Sequence, residues 1–214
     1  QGSSNIFVIA IWFGWLVSGE NKTVVWTAER DDPPVTSNAK LQITMDGKLV
    51  LIDEKGKEKV IAGNASAKAS SATMLDSGNF VLYNNNSSVI WQSFDYPTDT
   101  LLGGQSLPNG HQLVSSSSQN SHSSGQYSLV MQDDGNLVQY PVNTISPPDA
   151  YWSSMNFNNG FKTDLYLNQT GLPQIMNGSD RRLMKIVNDE SILPTDGNRI
   201  TYPATLDIDG RFRL

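Results

Sequence analysis

The chain contains no cysteine, which removes disulfide frameworks, thiolate zinc sites and CxxC redox chemistry together. Histidine is almost as scarce: His111 and His122 are the only two, both in or beside a Ser-rich run and without ligand-spaced carboxylates, so neither a metal site nor imidazole catalysis has much to draw on. Charged residues make up 17% of the chain and leave a net charge of −6 with no basic cluster. That argues against a nucleic-acid partner, because phosphate binding needs grouped Lys and Arg. No apolar run reaches the ~20 residues of a membrane helix. The longest, IFVIAIWFGWLV at 6–17, is rich in β-branched and aromatic residues and reads as strand; a signal-peptide core is the alternative, but no basic segment precedes it and no small-residue cleavage site follows. A 3.6-residue periodicity is also missing, so helices are not expected.

What the sequence does contain is a recurring hairpin: alternating apolar residues, a polar pair, Gly, then apolar alternation again. It appears in LQITMDGKLVLI (41–52), TMLDSGNFVLY (73–83), YSLVMQDDGNLVQY (127–140), TDLYLNQTGLPQI (163–175) and ATLDIDGRFRL (204–214). Gly after a polar residue supplies the positive φ of a tight turn. The glycines fall at 47, 78, 135, 171 and 210, a spacing that marks repeat architecture with one long step between 78 and 135. Within that step, LVSSSSQNSHSSGQ (113–126) has little to bury and reads as a loop or linker; PVNTISPPDAYW (141–152) reads as a shorter irregular loop. The expectation is an all-β chain of two domains, 1–118 and 119–214, with Trp26, Trp91 and Trp152 in the cores.

The third hairpin carries candidate chemistry. Asn136, Val138 and Tyr140 alternate along its second arm and share a face, with Gln132 and Asp134 close to it. Carboxylate, amides and phenol around a small apolar side chain suit a shallow sugar site. A purely structural reading stays open: turns favour Asp, Gly and Asn, strands favour Val and Tyr, and only Gln132 escapes both explanations.

VVWTAERDDPPV, ATMLDSGNFVLY and above all VIWQSFDYPTDTLLGGQSL (89–107) resemble the lectin portion of plant S-domain receptor-like serine/threonine kinases, with G-type (bulb-type) modules related to monocot mannose-binding agglutinins. The resemblance covers nearly the whole chain. It implies two tandem β-prism II units, each of three hairpin sheets around a pseudo-threefold axis, the first shortened at its start. It also implies an extracellular location at the plasma membrane, with membrane span and kinase beyond this segment. Mannose binding in that family uses Q-x-D-x-N-x-V-x-Y, matched in full by Gln132, Asp134, Asn136, Val138 and Tyr140, although Gly135 stands where bulb lectins carry Cys. The copy at 75–83 keeps Asn79, Val81 and Tyr83 as a degenerate second site; the copies from Thr44, Asn168 and Asp207 keep less. The implied partners are mannose-type glycans, or a protein or peptide ligand on a vestigial lectin scaffold, and a second receptor copy.

Six N-glycosylation sequons, at Asn21, Asn64, Asn85, Asn86, Asn168 and Asn177, agree with secretion. Enzymatic readings have less to stand on. A Ser–His–Asp set would draw on Ser115–Ser118 and His111 in what reads as loop; a glycoside hydrolase would pair two of Asp95, Asp99, Asp133 and Asp134, with nothing to set them across a cleft. The chain is read as a non-enzyme that uses no cofactor and no metal.

Overall fold

The computed structural model describes residues 6–13, 23–63, 67–144, 146–157, 162–187 and 203–214. They are strands and turns with two short 3-10 turns, at Ser93–Asp95 and Pro147–Asp149. The chain divides into two compact units, 1–96 and 97–214.

The first unit holds β1 (Ile6–Phe7), β2 (Ala10–Phe13), β3 (Thr23–Thr27), β4 (Val35–Thr36), β5 (Lys40–Ile43), β6 (Leu49–Ile52), β7 (Glu58–Ala62), β8 (Ser71–Met74), β9 (Phe80–Tyr83) and β10 (Val89–Gln92). Antiparallel sheets β5–β6–β7 and β8–β9–β10 accompany the pairs β1–β4 and β2–β3. The apolar run therefore forms strands over Ile6–Phe7 and Ala10–Phe13, joined by Val8 and Ile9; residues 14–17 lie outside the described residues. Leu49, Ile61, Leu82 and Trp91 form the core. Trp91 stacks on Tyr96 at 5.4 Å and meets Trp26 and Phe80 edge-on at 6.0 and 6.3 Å, the geometry that ring quadrupoles favour.

The second unit holds β11 (Thr100–Leu101), β12 (Ser106–Leu107), β13 (Gln112–Ser118), β14 (Ser121–Met131), β15 (Leu137–Pro141), β16 (Trp152–Ser153), β17 (Thr163–Leu167), β18 (Pro173–Asn177), β19 (Leu183–Ile186), β20 (Ala204–Leu206) and β21 (Phe212–Arg213). Three sheets result: β13–β14–β15–β16, β12–β17–β18–β19 and β11–β20–β21. Leu113, Leu129, Met131 and Leu137 from the first meet Leu107, Leu165 and Ile175 from the second, and Leu101 and Leu206 from the third, all fully buried. At about 1.5–3 kcal/mol for each buried leucine-sized side chain, this shared core is what makes three small sheets stable together.

Two expectations are corrected. The Ser-rich stretch is not a linker but the β13–β14 hairpin, and the units divide between Tyr96 and Pro97, not at 118/119. Serine hydroxyls replace apolar burial there. Ser116 Oγ donates to Asp99 Oδ2 at 2.6 Å, and Ser117 and Ser123 hydroxyls meet at 2.7 Å. Trp152 is the second correction: it lies 37% exposed on a short edge strand, and the aliphatic core of its unit contains no tryptophan.

All five expected hairpin turns form, and with one geometry. In each, a first residue donates its N–H to the C=O four residues on, and the Gly N–H returns to the first residue's C=O. The first residues are Thr44, Leu75, Gln132, Asn168 and Asp207, and the glycines have φ between 77 and 90°. A three-residue hairpin loop closing on a left-handed residue favours Gly at that point, because a Cβ there crowds the backbone; the 84–88 turn closes in the same way on Ser87, at φ 58°.

Candidate carbohydrate site and its supporting clamp

The uniform turns allow a position-by-position comparison. The residues equivalent to Gln132 are Thr44, Leu75, Asn168 and Asp207; those equivalent to Asp134 are Asp46, Ser77, Thr170 and Asp209; those equivalent to Asn136 are Lys48, Asn79, Leu172 and Arg211.

At the intact copy, Leu137 enters the core, so Val138 and Tyr140 leave β15 on alternate faces from it and on the outer side. Gln132 Nε2 donates to the Tyr140 hydroxyl at 2.8 Å, tying the two ends of the motif together. Asp134 is exposed, and its Oδ1 accepts the Asn136 N–H at 2.9 Å, an Asx turn that fixes the carboxylate. Asn136 is nearly covered, and its Oδ1 accepts from Ser153 Oγ and Ser154 Oγ at 3.0 Å each and from the Asn156 N–H at 3.2 Å. The Asn156 N–H can only donate, so this oxygen is the acceptor and the amide nitrogen lies on the other side. That Nδ2 has no hydrogen-bond partner among the described residues and is not a buried, unsatisfied atom, so it keeps solvent access.

The five motif residues are thus together, but not as five open groups. Val138 and Tyr140 are each 2% exposed, and Tyr140 spends its hydroxyl oxygen on Gln132. The polar atoms left uncommitted are Gln132 Oε1, Asp134 Oδ2 and Asn136 Nδ2. Asn109 borders them on one side through its Nδ2 bond to Gln132 O at 2.7 Å, and the 153–156 segment on the other.

Ser153, Ser154 and Asn156 were not legible as part of the site, yet the first unit repeats them. Asn79 Oδ1 accepts from Ser93 Oγ and the Phe94 N–H at 3.2 Å, while Ser93 Oγ takes the Phe80 N–H at 2.9 Å. In the second unit the same loop runs through Ser154 Oγ, which takes the Leu137 N–H at 3.0 Å. The signal was present as a paired motif, GNFV…WQS and GNLV…WSS, in residues 78–93 and 135–154. The motif asparagine therefore closes a strand clamp in both units, with or without Gln and Asp beside it.

Two of the other copies are closed by charge. Lys48 Nζ lies 2.7 Å from Asp46 Oδ2, and Lys48 with Thr44 holds the Asp46 carboxyl down to about 2. Arg213 grips Asp209 through both terminal nitrogens, at 2.8 and 2.6 Å, and contacts Asp207; the Asp209 carboxyl falls to about 2 for that reason. Asp134 makes no ion pair among the described residues.

The remaining candidates are placed as follows. Asn85 and Asn86 are exposed at a turn tip, and Asn168 Oδ1 accepts two N–H groups of its own turn at 2.9 and 2.8 Å. Asn177 is 2% exposed with its Oδ1 accepting the Ser179 N–H, which leaves no room for a glycan on its amide in the folded chain. Asn21 and Asn64 lie outside the described residues. His111 Nδ1 lies 3.2 Å from the Asn109 carbonyl and does not meet Ser115–Ser118; Ser116 donates to Asp99 rather than to a histidine, with His122 Nδ1 at 3.4 Å. No three potential ligands gather for a metal among the described residues.

An all-β chain of repeated Gly-turn hairpins, with an Asn–Ser clamp beneath its polar motif, is similar to the bulb-type lectins. The family model for D-mannose binding lectin matches residues 23–110. The chain is homologous over its whole length to the plant G-type lectin S-receptor-like serine/threonine-protein kinases: it is 34% identical to LECRK2 of Oryza sativa subsp. japonica, with all of this chain and 26% of that protein covered. It is 33% identical to RLK1 of Arabidopsis thaliana over 83% of this chain and 22% of that protein. The chain therefore spans about a quarter of the length of these relatives. Among solved structures, native tarin lectin aligns at 30% identity and a TM-score of 0.39, covering 54% of this chain and 84% of its own. The snowdrop (Galanthus nivalis) mannose-specific agglutinin complexed with methyl-α-D-mannoside aligns at 21% identity and a TM-score of 0.39, covering 54% and 86%. The matched family range ends before the intact motif at 132–140.

Proposed function

We propose that this chain is a non-enzymatic, extracellular glycan-recognition region of a plant receptor kinase, built as two tandem β-prism units, with one mannose-type site at Gln132, Asp134, Asn136, Val138 and Tyr140. The observation that carries it is the contrast among five equivalent turns: where Asp46 and Asp209 are capped by Lys48 and Arg213, Asp134 has no cation partner among the described residues and stands with Asn136 Nδ2 and Gln132 Oε1. A carboxylate acceptor, an amide donor and an amide acceptor on one rim match the vicinal hydroxyls of a hexose. Val138 and Tyr140 act from beneath, Tyr140 by orienting Gln132. At about 0.5–1.5 kcal/mol for each net hydrogen bond, such a site binds a monosaccharide at roughly millimolar strength, and useful avidity comes from several sites on one assembly.

Calorimetric titration with methyl α-mannoside tests this directly. Wild type is expected to bind at millimolar sugar, and Asp134→Ala and Gln132→Ala to lose it while keeping the wild-type fold. Absence of any mannoside signal from the wild type sinks the reading.

A second reading has its own observation: Asn79 keeps the clamp where Gln and Asp are replaced by Leu75 and Ser77, so the motif survives as scaffold. On that reading the ectodomain recognises a protein or peptide, or pairs with another receptor copy. A receptor response unchanged by Gln132→Ala with Asp134→Ala favours it over the first.

A further inference from the structure

The two units build the same hairpins but finish their sheets differently. In the second unit the first strand of each hairpin has a further strand along its outer edge: β13 beside β14, β12 beside β17 and β11 beside β20. Each added strand seats one leucine: Leu113 opposite Leu129, Leu107 opposite Leu165 and Leu101 opposite Ala204. The run that carries Leu101 and Leu107 also supplies backbone acceptors, for Leu206 N–H donates to Asp99 O at 2.8 Å and Leu167 N–H to Gln105 O at 3.0 Å. The inward residues of β17 and β20, Leu165, Leu167, Ala204 and Leu206, are all 0% exposed.

In the first unit β5 and β8 hold the places of β17 and β20 in chain order, but each has a single neighbouring strand among the described residues. Matched through the turns, Leu41 and Ile43 correspond to Leu165 and Leu167, and Ala72 and Met74 to Ala204 and Leu206. Leu41 is 50% exposed, Ile43 43% and Met74 51%. Thr44 and Leu75 bond back across their turns, so the alternation of an antiparallel ladder points the Ile43 and Met74 N–H groups away from β6 and β9, toward the open edge. Native sheets guard such edges with charged inward side chains, proline or bulges. Here the inward positions are apolar, and neither pairing carries a bulge. A groove of about 300 Å³, lined by Trp12, Phe13, Met74 and Leu75, opens at the end of β8.

We propose that β5 and β8 form a strand-acceptor edge for a segment of another polypeptide, extended and with leucine-sized residues six apart, which pairs with them as residues 99–107 pair with β20 and β17. Its first leucine faces Ala72 and its second Leu41, and the carbonyl two residues before each takes the Met74 or Ile43 N–H. Main-chain bonds give such an added strand its affinity, and the seated side chains give it its specificity. A second copy of this chain is not the donor, because its own Leu101 and Leu107 are already seated in its second unit. The inference builds on the peptide reading given above and is independent of the mannose site at 132–140.

The test is calorimetric titration of the full chain with a synthetic peptide copying residues 98–108, TDTLLGGQSLP. One peptide is expected to bind per chain and to slow amide exchange at Ile43 and Met74. Leu101→Ala or Leu107→Ala in the peptide is expected to weaken binding roughly tenfold or more, since each removes buried methylenes. Leu41→Lys in the chain sets an inward charge on the edge and is expected to abolish binding with the melting temperature held, because Leu41 is half-exposed. No binding by wild type, binding indifferent to both leucines, or protection that leaves Ile43 and Met74 unchanged overturns the acceptor edge. So does a peptide-free dimer whose Ile43 and Met74 amides are already protected, which would give the edge to a second copy. The peptide reading itself is decided apart from this, by the receptor response of the Gln132→Ala, Asp134→Ala double variant.

Discussion

Removal of the Asn136 side chain isolates what the motif asparagine does for the fold. Its Oδ1 takes three hydrogen bonds, from Ser153 Oγ, Ser154 Oγ and the Asn156 N–H, and the residue is 9% exposed. At about 1 kcal/mol for each net bond, Asn136→Ala is expected to cost about 3 kcal/mol. Ser153, half-buried, can turn to water and trims the loss, while the Asn156 N–H cannot, so the range is about 2–4 kcal/mol. Asn79→Ala should cost about as much. Asn79 Oδ1 serves Ser93 and Phe94, and its Nδ2 donates to Gln92 Oε1 at 2.9 Å. Asn136→Asp keeps the acceptor oxygen and is expected to fall closer to wild type than Asn136→Ala. Urea unfolding with linear extrapolation gives the magnitudes. Amide exchange at Phe80 and Leu137, whose N–H groups donate to Ser93 and Ser154 Oγ, locates each loss in its own unit. A change below about 0.5 kcal/mol for Asn136→Ala, the level of an ordinary surface substitution, would refute the clamp.

Other outcomes follow from the same turns. Gly210→Ala is expected to destabilise by about 2 kcal/mol or more: φ is 80° and a Cβ would lie 2.8 Å from the Tyr127 ring and the Tyr151 hydroxyl. Gly56→Ala, at the same φ but with open space around it, should cost only the backbone strain of about 1 kcal/mol; thermal melting separates the two. Acid should loosen the first and fifth turns late. The Asp46 and Asp209 carboxyls are depressed from 3.8 to about 2, so their contribution is present above the unfolded value and is lost only as pH falls through about 2. Carboxyl chemical-shift titration reads this, and Lys48→Ala should return Asp46 toward its ordinary value.

The parts legible in the sequence were those where backbone geometry dictates residue type. A turn that needs positive φ favours Gly, and the polar residues before it supply side-chain bonds to the turn, so all five hairpins could be placed. The Ser-rich hairpin escaped because its strands are held by hydroxyl pairs and by the buried Asp99 carboxylate, not by apolar alternation. Ser115 is fully buried in the seven-residue β13, in a stretch whose hydropathy marks it as loop. Trp152 misled for the opposite reason. Its W-x-S context repeats that of Trp91, but the repeat serves the serine, which reaches the asparagine, while the ring itself stays at the edge. The clamp partners lie 14 and 18 residues from their asparagines, beyond any local pattern.

Across the five turns, no single motif residue identifies a sugar site. Aspartate recurs at Asp46 and Asp209, but with Lys48 and Arg213 spending the carboxylate on the turn itself. Asparagine recurs at Asn79, but there its oxygen and its nitrogen are both committed within the chain, the latter to Gln92. At Asn136 the oxygen is committed in the same way while the nitrogen is left over, because Ser153 stands where Gln92 would receive it and donates to the oxygen instead. The exchange of one acceptor for one donor, Gln92 for Ser153, is what separates a closed scaffold turn from one with an outward-facing amide. Ser153→Gln should therefore close the site: its side-chain oxygen can take the Asn136 Nδ2 proton as Gln92 takes that of Asn79. The expected result is loss of mannoside binding, read by calorimetric titration, with Asp134 and Gln132 untouched and stability lowered by about 1 kcal/mol, since the two hydrogen bonds of the Ser153 hydroxyl give way to one. Full binding by Ser153→Gln would show that the free amide is not what distinguishes this turn from the other four.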